Sequence, residues 1–274
     1  MSTFNLPAPW ENVSVKLPKN LSSEELMNFY PFKDWLSAMH QSLQLQTEDA
    51  THAFHDPATK FNLTSITVQS VDRFGDNIGF VKMATTVQNE KNEALPGVVF
   101  MRGGSVAVLM IIRPLDNEDE RLVIMTQQPR VPVGSLSFFE IPAGMIDRAG
   151  TFSGAAAKEI REETGLSISQ DELIDMTEKA LADAQAPESF LKKAMYPSPG
   201  GSDEYIALFL WEKPMHRMDI NELRNRLAGV DNEKIRVKLV KYEELWKEGA
   251  RDAKTLAALA LYEGLSREGT LYDR

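Results

Sequence analysis

An α/β fold, with helices packed on a mixed sheet, is predicted by three features of the 274-residue sequence. From about residue 61 the chain runs through short β-branched and aromatic segments broken by Gly, Pro, Asn and Asp. One of these, SVAVLMII, is apolar almost throughout, as a strand covered on both faces is, whereas LTSITVQS alternates as a half-exposed strand does. Among the strands stand segments with helix caps and helix-forming interiors, TFSGAAAKEIREETG first among them.

In chain order, LSSEELMNFY and FKDWLSAMHQSLQ predict two short helices, the first capped by Ser22 or Ser23. Strands follow at LTSITVQSV, GFVKMATTV, GVVF, SVAVLMII, RLVIMTQQ and LSFFEI. TFSGAAAKEIREETG is the next helix: Thr151 or Ser153 caps its start, three alanines favour its interior, and Gly165 stands where a left-handed C-cap belongs. The stretch from Asp171 to Glu204, polar and then rich in Pro and Gly, predicts a long loop with one helical piece. EYIALFLWE and KIRVKLVKY are further strands, MDINELRNRLAG a helix between them, and DAKTLAALALYEGLSRE a C-terminal helix with an apolar face.

Composition narrows the chemistry. A hydrophobic fraction of 43% is enough for a buried core, and the absence of cysteine excludes disulfides, zinc–thiolate sites and thiol catalysis. Thirty Lys and Arg stand against 40 Asp and Glu with no long basic run, which argues against a general nucleic-acid binder. No apolar run approaches the roughly 20 residues that span a bilayer. The opening MSTFNLPAPWENVSVKLPK has neither a signal-peptide core nor a transit-peptide pattern, so a soluble cytoplasmic protein is the expectation. His40, His52, His55 and His216 are scattered without metal-ligand spacing, and the glycines of SPGGS lack the strand and helix of a dinucleotide fingerprint.

The unusual feature lies in GMIDRAGTFSGAAAKEIREETGL, residues 144–166. Glu159, Glu162 and Glu163 crowd the end of a helix, one turn apart on overlapping faces, where like charges repel and the helix dipole is unfavourable to anions. A hard divalent cation such as Mg²⁺, which prefers carboxylate, phosphate and water oxygens, would offset that repulsion. The alternative is a solvated acidic face partnered by Lys158 and Arg161.

These residues resemble the signature of the Nudix hydrolase family, with Gly144, Glu159, Ile160, Glu162, Glu163, Gly165 and Leu166 in register. Two positions depart: Gly150 replaces the first glutamate of the signature and Lys158 replaces its arginine, positions that in the family support the loop and orient the catalytic glutamates. The resemblance implies a Nudix fold, an α/β/α sandwich around a mixed sheet, with an N-terminal β-rich extension. It divides the chain into an N-terminal region, 1–98, of short helices followed by strands that serve dimerisation, and a hydrolase domain, 99–274.

Surrounding segments resemble the ADP-sugar and ADP-ribose branch of the family, the plant-type ADP-sugar diphosphatases most closely. FEIPAGMID matches the segment before the signature helix, in which the carbonyl at Ala143 joins the metal shell. MRGGSVAVLM and MTQQPRVPVGS match two substrate-arginine segments, placing Arg102 and Arg130, and SPGGSDE matches a catalytic loop, placing Glu204. Pro197 and Pro199 lie behind a longer insertion than in many bacterial ADP-ribose enzymes, which favours an ADP-sugar-like member.

The resemblance therefore implies Mg²⁺-dependent hydrolysis of ADP-sugars by a homodimer, with Mn²⁺ as a substitute metal. Ala143, Glu159, Glu162 and Glu163 are the expected metal set, Glu162, Glu163 and Glu204 the catalytic set, and Arg102, Arg130, Glu140 and Phe80 the substrate contacts. Several roles stay open at this point. Glu140 can bind a second metal or the ribose, or only order its loop; Phe74 and Phe80 can stack on adenine or belong to the sheet core; Arg102, Arg130 and Glu204 can be ordinary loop residues. A non-catalytic nucleotide-sugar sensor, and a Nudix enzyme for UDP-glucose, GDP-mannose or coenzyme A, are the competing functions.

Overall fold

A computed structural model describes residues 2–56, 58–117, 119–146, 151–182, 188–224, 226–229 and 234–272. The chain divides into two compact units. The first comprises Met1–Gly103 with Gln185–Lys192 and Ser198–Glu204; the second comprises Gly104–Ala184, Lys193–Pro197 and Tyr205–Arg274. The first unit's opening segment ends at Gly103, and the strand Val98–Met101 hydrogen-bonds within that unit.

The first unit contains β1 (Ser2–Asn5), β2 (Ser14–Leu17), α1 (Ser23–Asn28), α2 (Tyr30–Glu48), β3 (Asn62–Phe74), β4 (Asn77–Gln88), β5 (Ala94–Leu95) and β6 (Val98–Met101). The strands form one sheet in the order β1-β2-β3-β4-β5, with β6 also on β4; β2 and β3 run parallel and the other pairs antiparallel. Strands β1 and β2, four residues each, precede the helices and carry too short a pattern to be recognised from sequence. Ser22 caps α1 in a reciprocal capping box with Glu25. Phe32, Leu26 and Leu36 of the helices pack against Ile66, Val68, Val81 and Met83 of β3 and β4. Register shifts after Leu63 and Val68 break the alternation of β3, so its buried residues are Leu63, Ile66 and Val68.

The second unit contains β7 (Ser105–Pro114), β8 (Leu122–Arg130), β9 (Ser135–Glu140), β10 (Ala143–Met145), α3 (Phe152–Thr164), β11 (Ile174–Asp175), α4 (Met176–Ala180), β12 (Ile206–Met215), α5 (Arg217–Leu223), β13 (Leu227–Ala228), β14 (Ile235–Lys241), α6 (Leu245–Glu248) and α7 (Ala253–Glu268). Its sheet is mixed, in the order β11-β12-β7-β8-β14-β13, with β10 on β7 and β9 on β8; β12 runs parallel to β7. Strand β7 explains the layering. Ala107, Leu109 and Ile111 pack with Met176 of α4 and Ala258, Tyr262 and Leu265 of α7, while Val106, Val108, Met110 and Ile112 pack with Ala155, Ala156 and Ile160 of α3 and Ile220 and Leu223 of α5. Helices thus cover both faces, and the continuous apolar run SVAVLMII follows from that.

The helix expected over MDINELRNRLAG ends at Leu223, and Leu227 and Ala228 pair with Arg236 and Ile235 instead. An edge position on the sheet satisfies that backbone where the helix would have continued. No helix among the described residues is long and apolar enough to cross a membrane.

Because β7 is covered twice, Leu109→Ala and Met110→Ala will each destabilise the protein by about 2–5 kcal/mol in denaturant unfolding. A near-neutral result for either would contradict the two-sided packing.

Candidate active site

In the second unit, strands β9 and β10 lead into α3 and carry the residues singled out from the sequence. Thr151 caps α3, its hydroxyl accepting the N–H of Gly154 at 3.1 Å, and Gly165 closes the helix in the left-handed region at φ 75°. Ala156, Ile160 and Glu163 follow one another on the sheet-facing side. Glu163 is only 4% exposed, so a solvated acidic face does not describe it. Gly150 lies outside the described residues, and Lys158 is exposed on α3.

Both Glu163 oxygens are held: Oε1 accepts from Nε2 of Gln128 at 2.9 Å and Oε2 from the backbone N–H of Ala143 at 3.0 Å. Burial pushes its pKa up to about 8; these two hydrogen bonds pull against the shift, and the charges of Glu140 and Glu159 add to it. The carboxyl of Glu159 lies directly over Gly144, where a Cβ would stand 1.8 Å from its Cδ. Glu162 is half-buried, and its backbone carbonyl accepts the N–H of Gly229 at 2.9 Å. Ala143, paired with Ala107 across β10 and β7, meets Glu163 through its N–H.

Glu140 closes this neighbourhood on another side. Its Oε1 takes a hydrogen bond from Nε of Arg130 at 2.6 Å and its Oε2 one from Nζ of Lys254 at 2.8 Å. The second unit therefore brings together Arg130, Glu140, Ala143, Glu159 and Glu163. Among the described residues no three His, Asp or Glu side chains are spaced to grip a metal ion, and Glu163 is turned towards Gln128 and Ala143. The donor chemistry still suits a hard divalent cation: Glu159, Glu162 and Glu163 are all-oxygen donors, and a cation would favour the ionised form of Glu163 that burial, and to a smaller extent the charges of Glu140 and Glu159, disfavours.

The remaining predicted residues belong to the first unit. Arg102 Nη1 lies 3.4 Å from Oε1 of Glu204. The carboxylate of Asp203 accepts the backbone N–H of Arg102 at 2.7 Å and that of Gly103 at 3.1 and 3.2 Å, fixing the turn in which Gly103 adopts φ 82°. Arg102 Nε is buried and has no hydrogen-bond partner among the described residues, an arrangement that an anionic oxygen would satisfy. Phe80 stands 5.0 Å from Phe74 and 5.1 Å from Phe100, in an aromatic group on the β4–β6 side of the sheet.

Asp203, Gln128 and Lys254 were not foreseen. The Asp of SPGGSDE was visible, but the amides it holds lie about 100 residues away in sequence. Gln128 was legible only as the end of a strand.

A family model described as NUDIX domain matches residues 104–259, beginning at the first residue of the second unit. The chain is similar to Nudix hydrolase 14, chloroplastic, of Arabidopsis thaliana, at 33% identity over 275 residues, covering 97% of this chain and 82% of that protein. It also resembles a solved structure described as "Crystal structure of ADP compounds hydrolase", with a TM-score of 0.51 over 77% of this chain and 97% of the other. At 15% identity the second likeness is one of fold.

Two outcomes follow from the carboxylates. Gly144→Ala will fold but displace the Glu159 carboxyl, lowering activity as far as Glu159→Gln does; full activity in Gly144→Ala would contradict the cradle. Glu163 ionises at about 4.5 when unfolded and at about 8 when folded, so between those values the native state holds a proton that the unfolded chain has lost, and stability falls as pH rises. In chelator, Glu163→Gln will melt above the parent at pH 8 and lose that advantage towards pH 5. Mg²⁺ will raise the melting temperature of the parent and not of the variant.

Proposed function

The chain belongs to the Nudix hydrolase family, and from that premise we propose that it hydrolyses the diphosphate bond of ADP-sugars, ADP-glucose and ADP-ribose, to AMP and a sugar phosphate, with Mg²⁺ as the metal. The observation that carries this reading is the buried Glu163, hydrogen-bonded to Gln128 and Ala143 in the electrostatic reach of Glu140 and Glu159. A carboxylate held in that setting is a site for positive charge. The preference for ADP derivatives is supported by the segments FEIPAGMID, MRGGSVAVLM, MTQQPRVPVGS and SPGGSDE, and the neighbour of similar fold is described as acting on ADP compounds.

Glu159, Glu162 and Glu163 would hold the metal. When bound it supplies charge neutralisation of the diphosphate and a more acidic water. Arg130, oriented by Glu140, offers a planar, permanently charged group suited to phosphate oxygens. Arg102 and Glu204 take their roles from the resemblance: Arg102 as a phosphate contact, Glu204 as the group that receives the proton of the attacking water while its oxygen bonds to phosphorus and the bridging P–O bond breaks. Phe80 is assigned to the adenine on the same ground, and a homodimer is part of the proposal.

Incubation with ADP-glucose, ADP-ribose, UDP-glucose, GDP-mannose and coenzyme A, while following nucleotide release, tests the reading. AMP is expected from both ADP-sugars, is abolished by chelator and restored by Mg²⁺, and falls by at least about 100-fold in Glu162→Gln. Binding of ADP-sugar without release of AMP would identify a sensor, and preferential cleavage of another diphosphate would replace the substrate class.

A further inference from the structure

One cluster in the second unit lies outside the signature and extends beyond the Arg130–Glu140 pair used by the proposed chemistry. Lys254 stands in the first turn of α7, the positive end of the helix dipole, with only 16% of its side chain exposed. A cation is disfavoured there on both counts. It is held by two buried carboxylates, its Nζ lying 2.8 Å from Oε2 of Glu140 and 2.7 Å from Oδ1 of Asp252.

The connections run on in both directions. The other oxygen of Glu140 accepts from Arg130 Nε at 2.6 Å. The other oxygen of Asp252 caps α7, accepting from the backbone N–H of Thr255 at 3.2 Å and its hydroxyl at 2.7 Å, and Oγ1 of Thr255 accepts the N–H of Ile141 at 3.3 Å. The chain of contacts Arg130–Glu140–Lys254–Asp252–Thr255 thus returns to the residue after Glu140. Two cations and two carboxylates balance within it. A register shift between Gln128 and Arg130 sets the direction in which Arg130 leaves β8.

We infer that Lys254 is a positioning residue: by holding one oxygen of Glu140 it presents the other to Arg130, and so sets affinity for the diphosphate without touching substrate. This rests on the reading of Arg130 as a diphosphate contact. Lys254 keeps Glu140 in one rotamer, and Glu140 keeps the guanidinium in one place. A diphosphate then meets an arginine whose orientation is already fixed, which lowers the ordering needed on binding.

Lys254→Met removes the charge and keeps the length. In steady-state assays with ADP-ribose and Mg²⁺ it is expected to raise KM about 10-fold while kcat changes less than about threefold, as loss of uniform binding requires. Lys254→Arg is expected to recover most of the affinity. In an Arg130→Ala background, Lys254→Met is expected to add less than about twofold, because both act through one contact. The double variant Lys254→Met with Glu140→Gln removes one charge of each sign, leaves Asp252 hydrogen-bonded to Thr255, and must also raise KM. Additive losses with Arg130→Ala, or a lowered melting temperature with unchanged KM, would overturn the inference. The Nε–H resonance of Arg130 reports the same contact without substrate: Lys254→Met must speed its exchange with solvent, and an unchanged rate overturns the inference. A parent that releases no AMP from either ADP-sugar sinks the proposed function instead and leaves that exchange measurement decisive for Lys254.

Discussion

Glu163 occupies a position on α3 where packing against a sheet would ordinarily call for an aliphatic side chain, between the turn of Ile160 and the C-cap at Gly165. Placing a carboxyl group there disfavours its ionised form and obliges the neighbouring elements to supply donors. Strand β8 supplies Gln128 and β10 supplies the N–H of Ala143, so the helix is tied to two strands by one side chain. Gly144, next along β10, leaves room for Glu159 one turn back on the helix. The local arrangement of strand, loop and helix is organised around keeping a carboxyl group, with donors on both its oxygens, where water is scarce.

Each unit carries an electrostatic imbalance of its own. The second holds carboxylates that repel one another; the first holds the Arg102 Nε in a buried place without an acceptor. Native structures rarely retain such groups unless something of opposite character visits them. The backbone around Arg102 is held by Asp203, which keeps the turn in place whether or not an anion is present.

The fold was legible where periodicity was strong. The unbroken apolar run of β7 announced a strand covered on two sides, Gly165 marked the end of α3, and of the two candidate caps Thr151 and Ser153 the first proved to start it. Short edge strands such as β1, β2 and β13 were not legible, since two to four residues carry no period and are defined by their partners. The same distinction holds at the site. Glu159, Glu162 and Glu163 lie within one turn and a half of a helix, so their presence on one element was legible from spacing, whereas Gln128 and Lys254 lie 35 and 114 residues from the carboxylates Glu163 and Glu140. The wide separation of those partners leaves no local pattern to detect.

The path of the chain between α4 and β12 has a consequence for how the protein can be divided. Residues 185–192 and 198–204 belong with the first unit, while 193–197 and everything from 205 onwards belong with the second. A single cut after Gly103, the natural place suggested by the family match, would strand Asp203 and Glu204 on a fragment without the Arg102 and Gly103 amides that Asp203 holds. The two units are therefore interlaced along the sequence and are not modules that can be inherited, exchanged or grafted by one crossover.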